Sequence, residues 1–454
     1  MGIGFQKAFA VATVATFGLG SVAFAGTPTT LYTFTGAADG AYPAGGLVSG
    51  SGGSFYGSTL LGGSGCSGSG CGTIFKLTAP AAGKTGWTLK TIYRFNGGTD
   101  GQEPVNLIAD ATGNLFGVAT YGGVTANLCT VGGTVLGCGT VFELSPPAAG
   151  TTAWTFTTLY SFTGGADGSF PNYGLAQDAA GALFGFTYGG GTCATKACGT
   201  VFRLTPPAAG HTAWTELTLH DFAGGKDGTA PYSTPLVMAD GTVYGTTTAG
   251  GVSAPAACLG AGGCGTVFSL TPAGAGKPGW TKKTVWSFAS TDGLYPEGSL
   301  IADSAGNIYG TANLGGATTI CTASGSIPAG CGAVFELSPP AAGATAWTRK
   351  TLYKFAASGD GLYPAAGLTP SGTSFFTTTS GNGLKGFGSV LELSPPATGA
   401  KAWTEKTLFD FTNVATGAQP TDALLLQGGV LYGTTLGHDG VAPARYGTIF
   451  SILP

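Results

Sequence analysis

The sequence predicts an all-β protein: a seven-bladed β-propeller with four antiparallel strands in each blade. Three observations carry that prediction. One motif returns seven times, each copy holds four short strand-like runs, and the two chain ends are complementary fragments of a single copy. The motif opens on Leu31-Tyr32-Thr33-Phe34. It returns as Ile92-Tyr93-Arg94-Phe95, Leu159-Tyr160-Ser161-Phe162, Leu219-His220-Asp221-Phe222, Val285-Trp286-Ser287-Phe288, Leu352-Tyr353-Lys354-Phe355 and Leu408-Phe409-Asp410-Phe411. A fixed period of about 60 residues means one supersecondary unit stacked on copies of itself.

The second copy shows the elements in order. Residues 106–110 form a short alternating run, and Asp110-Ala111-Thr112-Gly113-Asn114 then supplies turn chemistry. Leu115 to Thr120 reads as a second strand, followed by a Gly-rich loop holding two cysteines. Gly139 to Leu144 is a third strand, ended by Pro146-Pro147, which cannot extend a ladder. Trp154 to Phe162 reads as a fourth. No helical period appears outside the first 25 residues.

Closure follows from the ends. The chain after residue 25 begins with a lone fourth-type strand near Leu31 to Phe34. It finishes with the other three types, at 423–427, 430–435 and 448–453. The first strand is predicted to complete the last blade and remove an exposed sheet edge. An open solenoid, the alternative, needs terminal caps, and none is evident.

Bulk composition agrees. Among 454 residues there are 84 Gly, 43 % are apolar and only 9 % charged, as expected of a turn-rich β-protein. A net charge of −3 provides no basic field for nucleic acid or anionic lipid. Residues 1–25 read as a signal peptide: Lys7, a small apolar run from Ala8, and the cleavage pattern Ala23-Phe24-Ala25. Cleavage near Ala25 leaves residues 26–454 as a single propeller domain, secreted or periplasmic, with no transmembrane segment. A retained anchor is the alternative.

All ten cysteines fall in local pairs at the same place in copies one to five: Cys66/Cys71, Cys129/Cys138, Cys193/Cys198, Cys258/Cys264 and Cys321/Cys331. Disulfides suit an oxidising compartment. Zinc is disfavoured by the uneven separations and the lack of accompanying His. Phe387 and Tyr446 stand in the second-cysteine slot of copies six and seven, where an aromatic plug replaces the bridge.

Asp39, Asp100, Asp167, Asp227, Asp292 and Asp360 each open an Asp-Gly-x-x-Pro element, read as a turn into the next strand. If these turns face one channel mouth, the six carboxylates are candidate calcium ligands, helped by backbone carbonyls. Trp87, Trp154, Trp214, Trp280, Trp347 and Trp403 open the fourth strands and are expected to pack between blades, with a sugar-stacking platform as the rival role.

The run Leu-Tyr-x-Phe, Asp-Gly-x-x-Pro, Asp-x-x-Gly-Asn-Leu-Tyr-Gly-Thr and Gly-Cys-Gly-Thr-Val-Phe-Glu-Leu-Ser-Pro-Pro resembles the GloVer tandem-repeat family of exported bacterial proteins, over residues 31–454. The resemblance implies an extracellular repeat protein but no reaction. Members of the family carry varied C-terminal sorting segments, whereas this chain stops at Pro454 directly after its last strand.

Catalytic chemistry has few candidates. No Gly-x-Ser-x-Gly, His-Glu-x-x-His, Walker or haem-attachment motif occurs. His211 has no acidic neighbour in sequence. His220 fills a slot held elsewhere by Tyr, Trp or Phe and reads as a strand residue. The residues outside the repeat pattern are Glu103, Glu297, Asp422 and Asp439, with His438 beside Asp439 and Arg445 in the same loop. A symmetric scaffold places a site where its symmetry is broken, so these are the candidate catalytic or binding residues. The leading expectation is a non-enzymatic binding scaffold for a glycan or other surface polymer. A glycosidase or lyase built on two of the carboxylates and a purely structural envelope protein are the alternatives. No cofactor is implied, calcium apart. Clustering of the non-periodic residues at one channel mouth would argue for a site, and scatter for packing roles.

Overall fold

The structure, a computed structural model, describes residues 26–454 apart from residues 125–128, 194–197, 252–257, 259–261, 275–278, 290, 318–320, 322–328, 357–359, 382–385, 413–416 and 438–445. The proposed signal peptide, His438, Asp439 and Arg445 therefore lie outside the described residues.

Seven antiparallel sheets form seven blades. Blade 2 is typical, with strands Gln102–Ala109, Leu115–Tyr121, Thr140–Ser145 and Thr155–Ser161 paired in sequence order. These are the predicted strands within a few residues at each end. A small hairpin, Thr130–Val131 with Thr134–Val135, decorates the cysteine loop and has no counterpart in the sequence-based expectation. The ring closes as expected. Thr29–Thr33 pairs antiparallel with Thr448–Ile452, so the first strand is the outer strand of blade 7. The seven blades and this pairing exclude the open solenoid.

Each Leu-x-x-Phe phenylalanine ends the outer strand of one blade and enters the core of the next. Phe95 is fully buried and meets Phe142 of blade 2 edge-to-face at 5.2 Å. Phe34 does the same across the seam, meeting Phe75 of blade 1 at 5.4 Å. The tryptophans pack backwards: Trp154 against Tyr56, Trp214 against Phe116, Trp280 against Phe184 and Trp347 against Tyr244, each in the preceding blade. The packing role is the one realised.

The cysteines are joined in the five predicted local pairs, Cys66–Cys71, Cys129–Cys138, Cys193–Cys198, Cys258–Cys264 and Cys321–Cys331, with Cα separations of 5.1–6.2 Å. The second cysteine of each pair (Cys71, Cys138, Cys198, Cys264 and Cys331) is buried in the apolar core. There it does more than close a loop, because its carbonyl holds the next blade.

That carbonyl makes a second contact between consecutive blades. The residue before each repeat proline sits at positive φ, between 53 and 61°, although it is never Gly: Tyr42, Glu103, Phe170, Ala230, Tyr295, Tyr363 and Gln419. Left-handed backbone at a residue with a Cβ costs on the order of 1–2 kcal/mol. The conformation is held from outside, by an N–H donating to the second cysteine of the preceding blade. Glu103 donates to Cys71 at 2.9 Å, Phe170 to Cys138 at 2.8 Å and Ala230 to Cys198 at 3.0 Å. Tyr295 donates to Cys264 at 3.1 Å and Tyr363 to Cys331 at 3.3 Å. Phe387 and Tyr446 serve Gln419 and Tyr42 in the same way at 2.8 Å, confirming their occupation of the cysteine slot.

The proline then lies on the glycine that follows that carbonyl. A Cβ on Gly72, Gly139, Gly199, Gly265, Gly332, Gly388 or Gly447 would come within 2.4–2.7 Å of the next blade's proline Cδ. Gly447 meets Pro43 across the seam like every other pair. Gly139→Ala should therefore destabilise by about 1–3 kcal/mol more than Gly113→Ala. Both glycines have φ near 90°, but a Cβ at Gly113 meets nothing closer than 3.9 Å. Urea unfolding of both variants measures the difference, and equal losses would remove the contact from the account. Closure has its own test. Phe34→Ala should cost about 3–5 kcal/mol, like a core truncation anywhere in the ring. A loss near zero would mean the N-terminal strand is a loose arm.

Candidate functional site

The Asp-Gly-x-x-Pro turns join outer to inner strands, so by antiparallel order they share one end of the ring with the cysteine loops. The Asp110–Asn114 type turns and the Pro-Pro loops occupy the other end. Behind the prolines the inner segments converge on the axis. A cavity of about 110 Å³ is lined by all seven blades, through Gly46, Asn106, Tyr173, Thr234, Ser299, Ala366 and Asp422. This is the central channel, and the turns ring its mouth.

The repeat aspartates turn out to be occupied. Tyr32 donates its phenol to Asp39 at 3.0 Å, Tyr93 to Asp100 at 3.0 Å, Tyr160 to Asp167 at 3.1 Å and Tyr353 to Asp360 at 2.9 Å. Backbone N–H groups of Thr35, Asn96, Thr163 and Ala356 cap the same carboxylates. His220 stands in for the tyrosine, with Nε2 3.0 Å from Asp227, which settles its place as a strand residue. Burial works to raise Asp227, but the bonds from His220, Lys282 and the Ala223 N–H win and hold its carboxyl well below the usual range. Asp292 takes Arg349 instead. Five of these six candidates thus cap turns and Asp292 pairs with Arg349, and no group of three acidic, His or Cys side chains is assembled among the described residues. His211 lies in the Pro-Pro loop, at the far end from the mouth.

The non-periodic residues behave differently. Glu103 is the pre-proline residue of its turn, Glu297 follows Pro296, and Asp422 lies two residues after Pro420 on the channel wall. All three described exceptions therefore sit at the mouth or just inside it. Burial pushes the Glu103 carboxyl up to about 7. Burial likewise lifts Asp422 to about 6, against opposing bonds from the Gly45 N–H at 2.8 Å and the Thr421 hydroxyl. Burial, then the charge of Glu103, raises the neighbouring Tyr121 phenol to about 12. Glu297 is gripped by Asn313, whose Nδ2 donates to Oε2 at 2.6 Å.

Residues that carboxylate counting overlooks complete the mouth. The position after the repeat proline is Ala44, Val105, Asn172, Tyr232, Glu297, Ala365 and Thr421 around the ring. Setting the seven copies in register exposes this column as one of the least uniform, which is the signal that would have found it. Tyr232 packs on Tyr173 at 4.3 Å and faces Tyr188 at 6.2 Å. Tyr121 meets Phe170 at 5.5 Å and Tyr42 meets Tyr446 at 6.2 Å. The result is a concave, aromatic mouth with carboxylates set into it.

Residues 127–321 match the model of the Gloeobacter/Verrucomicrobia repeat. No curated protein matches the chain. Among solved structures, the PQQ-bound aldose sugar dehydrogenase of Streptomyces coelicolor is similar at 11 % identity and a TM-score of 0.43, over 95 % of this chain and 99 % of that one. The extracellular domain of a putative hybrid two-component system of B. thetaiotaomicron is 12 % identical with a TM-score of 0.48, over 94 % of this chain and 42 % of that one. PorZ, a surface component of the type-IX secretion system of Porphyromonas gingivalis, is 12 % identical with a TM-score of 0.47, over 90 % and 46 %. The five disulfides suggest an exported protein. No helix among the described residues is long and apolar enough to cross a membrane.

The raised Glu103 sets a pH signature. Its folded state holds the proton more tightly than the unfolded chain does. Its contribution to stability therefore falls as pH rises from about 4.5 to about 7, then levels off. Relative to the parent protein, Glu103→Gln should gain melting temperature at pH 8 and lose that gain at pH 4, in thermal unfolding followed by circular dichroism. A pH-independent difference would show that the carboxyl is not desolvated.

Proposed function

We propose that this protein is an exported, non-enzymatic binding scaffold that takes a glycan or related surface polymer at the channel mouth lined by the Asp-Gly-x-x-Pro turns. The observation that carries this reading is the gathering of Glu103, Glu297 and Asp422 at one end of the ring, among Tyr42, Tyr121, Tyr188 and Tyr232. Aromatic faces offer apolar area to sugar rings, while carboxylate and amide groups fix the orientation of hydroxyls. At the opposite end the turn carboxylates are taken up locally, Asp110 by Thr112 and Asn114 and Asp303 by Asn307 and Tyr309. Export accords with the five disulfides, and cleavage near Ala25 would release residues 26–454.

The test is polysaccharide pull-down and glycan-array binding, with two labelled variants. Ser380→Cys carrying a bulky maleimide at the mouth should abolish binding, whereas Thr112→Cys carrying the same group at the far end should leave it intact. Failure to bind any polymer, or equal behaviour of the two variants, would overturn the proposal.

A second reading, a glycosidase or lyase, is favoured by one observation. A carboxyl pushed up to about 7 is poised for general acid–base work. If an activity on any polymer is found, Glu103→Gln, Glu297→Gln and Asp422→Asn should between them abolish it. Full retention in all three would leave only the binding role.

A further inference from the structure

Just inside the mouth, the cavity of about 110 Å³ on the ring's axis is lined by a single acid. Asp422 reaches it from blade 7, together with Asn106 of blade 2, Tyr173 of blade 3, Thr234 of blade 4 and Ser299 of blade 5. Asp422 and Asn106 meet on blade 1, where they accept from consecutive amides. The Gly45 N–H donates to Asp422 Oδ2 at 2.8 Å, and the Gly46 N–H to Asn106 Oδ1 at 3.0 Å. A carboxylate and an amide oxygen are thereby held on neighbouring residues of one cavity wall. Farther round, Ser299 Oγ accepts from the Thr234 N–H at 3.2 Å.

These bonds use only one side of the carboxylate. Both donors to Asp422, the Gly45 N–H and the Thr421 hydroxyl at 3.5 Å, go to Oδ2. Oδ1 takes no bond from the described residues. It is not shut off from solvent as the buried partnerless atoms are, because Asp422 keeps accessible surface and lines the cavity. No lysine or arginine among the described residues pairs with it. The Tyr173 phenol on the same cavity is pushed well above its ordinary value, first by burial and then by Tyr232, Glu297 and Asp422. The field here is negative. A carboxyl lifted to about 6 is still mostly ionised at neutral pH, and a charge held away from bulk water calls for a counter-charge.

The wall also sets the kind of counter-charge. Asp422 brings one negative charge, and the accepting oxygens of Asn106 and Ser299 each keep a further lone pair. A hard divalent ion wants six to eight oxygens, carboxylates prominent among them. No group of three acidic, His or Cys side chains is assembled among the described residues. A monovalent ion matches the charge, and the cavity has room for one with several waters. We infer that the channel cavity binds one small monovalent cation, of the sodium, potassium or ammonium class, with Asp422 Oδ1 as its anionic ligand. Asn106 Oδ1, Ser299 Oγ and water are available to complete its shell. Asp422 also bonds Gly45 across the seam of the ring, so occupancy is read in stability. The site is independent of what binds at the mouth.

The experiment follows the melting temperature of the mature protein at neutral pH and constant ionic strength. Choline chloride is exchanged for sodium, potassium or ammonium chloride. Choline, bulky and without an N–H, sets the baseline. At least one of the three ions should raise the melting temperature by about 2 °C or more, and saturate. Asp422→Asn keeps an oxygen for the Gly45 N–H but removes the charge, so the shift should vanish. In choline, that variant should melt at or above the parent. Asp303→Asn, at the far end of the ring, loses the same charge and should keep the full shift. Crystals of the parent soaked in rubidium or thallium(I) chloride should show the ion's anomalous signal in the cavity beside Asp422, a readout that stands even if Asp422→Asn fails to fold. Three ions no different from choline, a shift that survives Asp422→Asn, or no heavy ion in the cavity overturns the site. A calcium shift larger than any monovalent one at equal concentration overturns the monovalent assignment. Each of these results leaves glycan binding at the mouth to its own test.

Discussion

The ring depends on a repeated contact in which a proline of one blade lies against a bare Cα of the blade before it. Seven glycines have no room for a Cβ because the next blade's proline Cδ and a carbonyl oxygen of their own blade's second strand crowd that space. Beside each proline, a residue with a Cβ is held in left-handed backbone by an N–H bond to the carbonyl just before the glycine. The contact couples the left-handed residue to the close approach of proline and glycine, and it recurs at all seven joints. Because Gly447 meets Pro43 like any internal pair, the seam needs no special device beyond the borrowed outer strand. The disulfides fit this logic. Cys71, Cys138, Cys198, Cys264 and Cys331 supply the accepting carbonyls, so each bridge rigidifies the loop that holds its neighbour. Where the cysteine is absent, Phe387 and Tyr446 keep the carbonyl in place through ordinary packing.

The same contact explains where chemistry can collect. Backbone and proline do the joining, so the side chains of the pre-proline and post-proline residues are not needed for it. These positions are free to differ from blade to blade, and several of them sit at the channel mouth. Tyr42, Glu103, Phe170, Ala230, Tyr295, Tyr363 and Gln419 share one backbone conformation and almost no chemistry. A scaffold with sevenfold regular joints thus presents an irregular mouth.

Much of the rest was visible in the repeats and had only to be read in pairs. The tyrosine of Leu-Tyr-x-Phe and the aspartate seven residues on are partners, not separate signatures. Copy seven lacks both, with Phe409 and Thr416 in their places, and copy four exchanges the phenol for an imidazole, with the Asp227 contact kept. This pairing partners five of the six turn aspartates, and Asp292 takes Arg349. It is local, with both partners within eight residues, so the sequence could have shown it. The column Ala44, Val105, Asn172, Tyr232, Glu297, Ala365 and Thr421 was equally open to inspection but is silent until the turn is known to face the channel.

Repeat length, strand alternation, turn residues and the split copy at the two ends were enough for the sequence to determine blade number, strand order, closure and cysteine pairing. Each of these follows from local periodicity and from the need to bury one face of every sheet. The placement of Glu103, Glu297 and Asp422 together, the desolvation of Glu103 and the seating of Asp422 on the channel cavity came only with the tertiary structure. Those properties depend on distances between residues far apart in the chain, and on water excluded by seven blades converging on one axis, which no single repeat encodes.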